Sequence, residues 1–196
     1  MVERQIESRG VRDPRVLEAM RTVPRHRFVP RAQLARAYDD RPLPIGHGQT
    51  ISQPYIVALM SELAGVKPGD KVLEVGTGSA YQAAVLAEMG AKLYTIEIVE
   101  PLAKSAKAKL EELGYGSRVE ARHGDGYAGW PSQAPFDAIV VTAAPPKIPE
   151  PLKEQLKVGG RLIIPVGERY QRLLKVTRTK DGFREESVIP VRFVPM

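Results

Sequence analysis

The 196 residues contain no cysteine, which excludes a disulfide framework, a thiolate metal site and a cysteine nucleophile together. Histidine occurs only as His26, His47 and His123, too scattered for a His-only zinc cluster, so no metal is expected. No apolar run approaches the roughly 20 residues of a membrane span. The N-terminus, Met-Val-Glu-Arg-Gln-Ile-Glu, lacks the apolar stretch of a signal peptide. The expected compartment is the cytoplasm, with no membrane partner. Asparagine is also absent, and Met and Gln are sparse while Arg, Glu and Pro are plentiful. Depletion of heat-labile side chains fits a thermophilic source, although a GC-rich genome favours the same Arg and Pro codons.

What is present describes an ordinary globular chain. Hydrophobic residues make up 43% and charged residues 27%, which excludes global disorder. At about 150 residues per domain the length reads as one domain, and a monomer is expected. The net charge is +6, and residues 1–37 hold nine arginines against Glu3, Glu7, Asp13 and Glu18. Such a segment can attract nucleic acid. Here the acids are interspersed and no ladder of aromatic and basic residues appears, so a solvated helical face is the better reading and no specific nucleic-acid partner is expected.

The pattern divides the chain into a helical extension with a loop (1–50), an α/β core (51–167) and a C-terminal hairpin (168–196). Asp13-Pro14 is a helix start with Val16, Leu17 and Met20 on one face, and Arg31–Ala37 could form a further turn or two. Residues 38–50 read as a long loop, which in a compact domain is more often functional than idle. Ser52-Gln-Pro54 then opens a helix with an apolar stripe. From residue 72 strands and helices alternate: strands at Val72–Val75, Leu93–Glu97, Val119–Arg122, Phe136–Val141 and Leu162–Val166, with helices at Ser79–Met89, from Pro101 and at Glu150–Leu156. Leu173–Thr179 and Phe183–Val194 flank an Asp181-Gly182 turn, a β-hairpin signature. The expectation is an α/β fold: a Rossmann-like, doubly wound, mostly parallel sheet with an antiparallel C-terminal hairpin and an N-terminal helical extension. Ligands in such sheets bind outside the strand C-termini, where Gly76, Glu97, Asp125 and Thr142 should converge.

Val72-Leu-Glu-Val-Gly-Thr-Gly-Ser-Ala80 is a strand running into a glycine turn that opens a helix. Gly76 and Gly78 let backbone N–H groups approach a ligand. The third glycine of a dinucleotide fingerprint would fall at Tyr81, and Glu74 precedes the turn. Both weaken a pyrophosphate cradle, and a carboxylate suits a cationic amino group. Glu97 closes the next strand, 21 residues after Gly76, where an acid can accept hydrogen bonds from a ribose diol. Gly124-Asp125-Gly126 can aim a carboxylate at a purine amine, though a plain turn uses the same residues. Together these describe an adenosine with a positively charged amino-acid tail, and S-adenosylmethionine fits, with Glu74 near its amino group.

The sequence resembles the protein-L-isoaspartate O-methyltransferases. The resemblance runs through 13–20, Ile45-Gly-His-Gly-Gln-Thr-Ile-Ser-Gln-Pro-Tyr55, Val72–Ser79, Gly124–Gly126, Phe136–Ala144, Gly159–Gly167 and Val191–Pro195, with Thr50-Ile-Ser-Gln-Pro54 its most specific stretch. It implies methyl transfer from S-adenosylmethionine to the free α-carboxylate of L-isoaspartyl residues in damaged peptides and proteins, leaving S-adenosylhomocysteine. By that resemblance Ser52 is the active-site serine. Glu74, Gly76, Thr77, Gly78, Ser79, Glu97, Ile98, Gly124, Asp125 and Gly126 contact the cofactor, and Gln49, Thr50 and Ile51 the substrate. Ala80 departs from the family's usual third glycine. Read from the residues alone, Ser52 is at least as well explained as a helix N-cap, Trp130 as a packing anchor, His47 as a solvated loop residue, and Tyr81 as either a cofactor shield or packing. An RNA or small-molecule methyltransferase, or a non-enzymatic nucleotide-binding module, are the rival readings.

Overall fold

A computed structural model describes residues 1–196. Its centre is a seven-stranded sheet formed by β3 (Lys71–Val75), β4 (Lys92–Glu97), β5 (Val119–His123), β6 (Phe136–Val141), β7 (Leu156–Val166), β8 (Gln171–Arg178) and β9 (Phe183–Val191). The spatial order is β5-β4-β3-β6-β7-β8-β9. From β5 to β7 the neighbours are parallel, and β7, β8 and β9 pair antiparallel. The chain moves outward from β3 to β5, then returns to β6 on the other side of β3. That reversal opens a crevice at the C-terminal ends of β3 and β6.

The central strands are apolar on both faces because both are covered. Val72, Ala138, Val140 and Ile163 pack on one side, in a cluster with residues of α1 (Pro14–Thr22), α2 (Pro54–Ala64), α3 (Tyr81–Glu88) and α4 (Glu100–Glu112). The alternate residues Leu73, Val75, Ile139, Val141, Leu162 and Ile164 face Trp130, Phe136 and Leu152 of α5 (Glu150–Glu154). Trp130 is an anchor, stacked edge-on against Tyr94 at 5.4 Å with Arg122 over its ring.

Three local expectations are corrected. The loop of residues 38–50 contains a strand pair, β1 (Leu43–Gly46) with β2 (Gln49–Ile51), turning at His47, whose φ is +53°. Leu43 and Ile45 alternate over only four residues, broken by Pro44 and Gly46, which is too short a pattern to announce a strand. Strand β7 starts at Leu156 rather than at Leu162 and runs through Gly159-Gly160. A Cβ at Gly160 would sit 2.8 Å from the Lys157 carbonyl oxygen, and the register with β6 shifts there: the glycine serves a bulge, not a strand end. The last strand stops at Val191 rather than Val194.

The arginine-rich extension folds as short turns around α1, whose N-terminus is capped by Asp13 accepting from the Arg15 N–H at 2.9 Å. Most of its cations meet acids: Arg9 with Asp40, Arg15 with Asp13, Arg21 with Glu7, Arg27 with Glu112, Arg36 with Asp39. Arg25 is instead fully buried, bonded to the Ala37 carbonyl and set over the Tyr81 ring. No helix is long and apolar enough to cross a membrane.

Candidate active site

The turn after β3 is shaped by glycines. Gly76 adopts φ +96° and packs so closely on Thr142 that a Cβ would collide with its hydroxyl. That hydroxyl donates to the Gly76 carbonyl at 2.5 Å, which ties the turn to the end of β6. Glu97, at the end of β4, is 5% exposed, and its carboxylate accepts the Gly78 N–H at 2.8 Å and the Val99 N–H at 2.9 Å. Each oxygen keeps a second lone pair for a ligand. Asp125 accepts the Tyr127 N–H at 2.9 Å, and a Cβ on Gly126 would collide with Val75. Gly124 lines none of the three spaces described below; its N–H donates to the Glu97 carbonyl at 2.9 Å.

Three neighbouring spaces lie at these strand ends. The first, of about 220 Å³, is lined by Gln49, Thr50, Gly76, Gly78, Glu97, Ile98, Asp125, Gly126, Tyr127, Thr142 and the tail residues Val194, Pro195 and Met196, among others. Ile98 is 62% exposed and Tyr127 38%, two apolar plates that line this cavity. The cavity holds two carboxylates and no Lys, Arg or His. Beside it is a groove of about 490 Å³ containing Arg9, Thr50, Ser52, Tyr55, Thr142 and residues 189–194. A small space of about 30 Å³ adjoins them through shared lining residues and is bordered by Ile51, Ser52, Thr77, Ser79 and Tyr81. Thr50 and Thr142 line all three.

Ser52 does not cap α2. The N-cap position is Gln53, and Asp40 supplies the missing acceptor from a distance: Oδ1 takes the Tyr55 N–H at 3.2 Å, while Oδ2 takes Gln53 Nε2 and Arg9. The serine hydroxyl is left to the groove. Tyr81 is packed, 1% exposed and edge-on to Phe28 at 5.4 Å, while also bordering the small space; burial pushes its phenol up. None of the three histidines lines a space.

Glu74 is the main departure from the sequence reading. It lies beneath the glycine turn, fully buried, and lines none of the three spaces. Thr95 donates to its Oε2 at 2.6 Å, and Thr77 Oγ1 lies 2.6 Å from Thr95 Oγ1. The carboxyl thus props the turn through two hydroxyls rather than facing a ligand's amino group. The reason is the strand's alternation: a residue at the penultimate position of a central strand points into a covered face. Burial pushes Glu74 up to about 8, the nearby Glu97 charge adds to this, and the Thr95 hydrogen bond opposes it. With an ordinary value of 4.5, the folded chain binds the extra proton between pH 4.5 and 8. Its stability contribution is full below that window and is lost as pH rises through it, on the order of a few kcal/mol. Glu74→Gln is therefore expected to flatten the decline in melting temperature between pH 5 and 8; parallel profiles for the two proteins would refute this.

Sequence reasoning also missed Tyr127, Arg9, Asp40 and the tail. Thr142 was placed at the converging strand ends but given no role. The tail reaches the first cavity through long-range backbone bonds, Ala144 N–H to the Val194 carbonyl at 2.8 Å and Met196 N–H to the Ala144 carbonyl at 3.1 Å, which leave no local signal.

A doubly wound sheet whose switch-point crevice carries acids, apolar plates and glycine turns defines the class of Rossmann-like methyltransferases. A family model described as protein-L-isoaspartate(D-aspartate) O-methyltransferase matches residues 1–196, and the chain belongs to that family of enzymes. A protein-L-isoaspartate O-methyltransferase of Gloeobacter violaceus is 64% identical, the match spanning the whole of this chain and 96% of that protein. One from Opitutus terrae is 59% identical over the whole chain and 84% of its own length. Among solved structures, a protein-L-isoaspartate O-methyltransferase superposes with a TM-score of 0.90 at 30% identity, covering all of this chain and 66% of that longer one. A Plasmodium falciparum beta-aspartate methyltransferase in complex with S-adenosyl-L-homocysteine gives 0.87 at 28% identity, covering 99% and 95%.

Proposed function

We propose that the chain transfers the methyl group of S-adenosylmethionine to the free α-carboxylate of L-isoaspartyl residues in damaged peptides and proteins. The observation that carries this reading is the first cavity's chemistry beside the Ser52 groove. Two carboxylates without a single cation suit a neutral diol, a purine amine and a sulfonium, and repel a diphosphate. The residues present therefore fit S-adenosylmethionine. Glu97 would take the ribose hydroxyls, Asp125 the purine amine, and Ile98 and Tyr127 the faces of the base. The turn at Gly76–Gly78 would receive the amino-acid tail, with Thr77 and Ser79 at its edge. Gln49, Thr50 and Ile51 would lie between cofactor and peptide.

When bound, the cofactor supplies an electrophilic methyl group on a sulfonium. The substrate oxygen forms the new C–O bond as the S–C bond breaks, giving a methyl ester and S-adenosylhomocysteine. A carboxylate with a pKa near 4 is already ionised at neutral pH, so this chain has no proton to remove and needs no general base. Its task is to orient: Ser52 would hold the incoming carboxylate by a hydrogen bond while Thr50 and Thr142, common to all three spaces, fix the line between groove and cavity. Excluding water strengthens the attraction between anion and sulfonium as they neutralise each other.

The test is labelled methyl transfer to paired isoaspartyl and aspartyl peptides, with RNA as a third acceptor. Transfer to the isoaspartyl peptide alone is expected; label in RNA and none in peptide would favour the rival reading. Single-turnover rates are expected to vary little between about pH 6 and 8. A tenfold rise following one histidine-like ionisation would sink the base-free step.

A further inference from the structure

The peptide groove contains two charged residues, and both are cations: Arg9 and Arg192. They are not equivalent. Arg9 is committed, bonded to Asp40 at 2.7 Å and stacked on the Tyr55 ring at 3.5 Å, so its charge is met by a carboxylate held in place by α2. Arg192 is exposed and takes part in none of the chain's ion pairs. Its backbone is nevertheless fixed on both sides. Val191 pairs with Gln171 across the hairpin, and the Gln171 side chain holds both polar groups of Phe193, donating to its carbonyl at 3.1 Å and accepting from its N–H at 2.6 Å. A guanidinium free at its head and anchored at its base, on the wall of a groove with no acid, has the form of a reader of negative charge.

We infer that Arg192 is a specificity-determining residue that favours isoaspartyl substrates with an acidic side chain within a few residues of the damaged position. The inference rests on the peptide-methylating reading above and adds to it the charge of the flanking sequence. The substrate's own α-carboxylate is common to every isoaspartyl peptide and cannot distinguish among them. A second anion on the flank can, because it meets an unpaired cation where Lys or Arg would meet a like charge. An exposed pair of this kind is expected to change kcat/KM by about threefold to tenfold between Glu and Lys flanks, with the contrast shrinking as salt screens it.

The experiment uses three isoaspartyl peptides differing only in one flanking residue, Glu, Ala or Lys, and reads the Glu-to-Lys ratio of kcat/KM within each enzyme, so that changes in overall activity cancel. The wild-type ratio is expected to exceed about three and to fall toward one at high salt. Arg192→Glu is expected to invert it, and Arg192→Gln to bring it near one, with melting temperatures at the wild-type value since the side chain is exposed. A wild-type ratio of one, or a ratio that Arg192→Glu and Arg192→Gln leave unchanged, overturns the inference. Failure to methylate even the alanine peptide would instead overturn the isoaspartyl reading, and this inference with it.

Discussion

Ser52→Ala is expected to slow methyl transfer by roughly 10- to 1000-fold, up to the effect of deleting one preorganised hydrogen-bond donor, while cofactor affinity stays near the wild-type value. The fold sharpens this expectation. Had Ser52 capped α2, its loss would have cost about 1 kcal/mol of stability and blurred the kinetic result. Gln53 holds the cap position and Asp40 receives the Tyr55 N–H, so rate and stability are separable at this residue. The melting temperatures of Ser52→Ala and Ser52→Gly should both stay close to wild type while kcat falls in each. An unchanged kcat in either stable variant would end the chemical role of the serine.

The second large effect is on the cofactor. Glu97→Ala is expected to weaken S-adenosylmethionine binding by about 1.5–3 kcal/mol, the scale of hydrogen bonds to a charged group. Two losses coincide there: the acceptor for a ribose diol, and the clamp that holds the Gly78 and Val99 N–H groups. Glu97→Gln separates them in part. Its amide turns one acceptor into a donor facing a backbone N–H, so it keeps one of the two clamp bonds and should bind more tightly than the alanine variant. Calorimetry on folded protein decides the matter, and wild-type affinity in Glu97→Ala would remove this residue from the site.

The parts of the molecule legible in the sequence are those governed by local rules. Phe136–Val141 was readable to the residue because Ala138–Val141 is the apolar run of a buried parallel strand, with Asp137 the single polar break near its start. Asp13-Pro14 announced α1 through capping chemistry. The glycine turn, Glu97 and Asp125 fell on one edge because alternation of strands and helices places strand ends together. What escaped depended on partners distant in the chain. Asp40 accepts the Tyr55 N–H of a helix that begins fourteen residues later, so the residues near Ser52 alone leave it open between a cap and an active-site role. Glu74 carries the right charge at the right offset, and only its complete burial shows that it supports Thr95 and Thr77 instead of meeting a ligand. Ala80 was flagged as a departure from glycine, and its φ of +70° in a buried position gives the physical reason a glycine is usual there.

The two Asp-Gly steps of this chain bear on how the enzyme itself grows old. An aspartyl residue isomerises when the next backbone nitrogen attacks its side-chain carbonyl, and a following glycine hinders that attack least. With asparagine absent altogether, Asp125-Gly126 and Asp181-Gly182 are the exposed points of wear. They are unequally guarded. The Asp125 carboxylate is bonded to the Tyr127 N–H, and Gly126 is buried against Val75 with no room to rearrange. Asp181 stands exposed in the turn between β8 and β9, at the opposite end of that hairpin from Arg192. Peptide mapping of heat-aged protein should accordingly find isoaspartate at position 181 well before position 125, and the reverse order would contradict the guarding described. Wear of this kind falls on a surface turn remote from the crevice, so the repairer can accumulate the lesion it repairs and keep working.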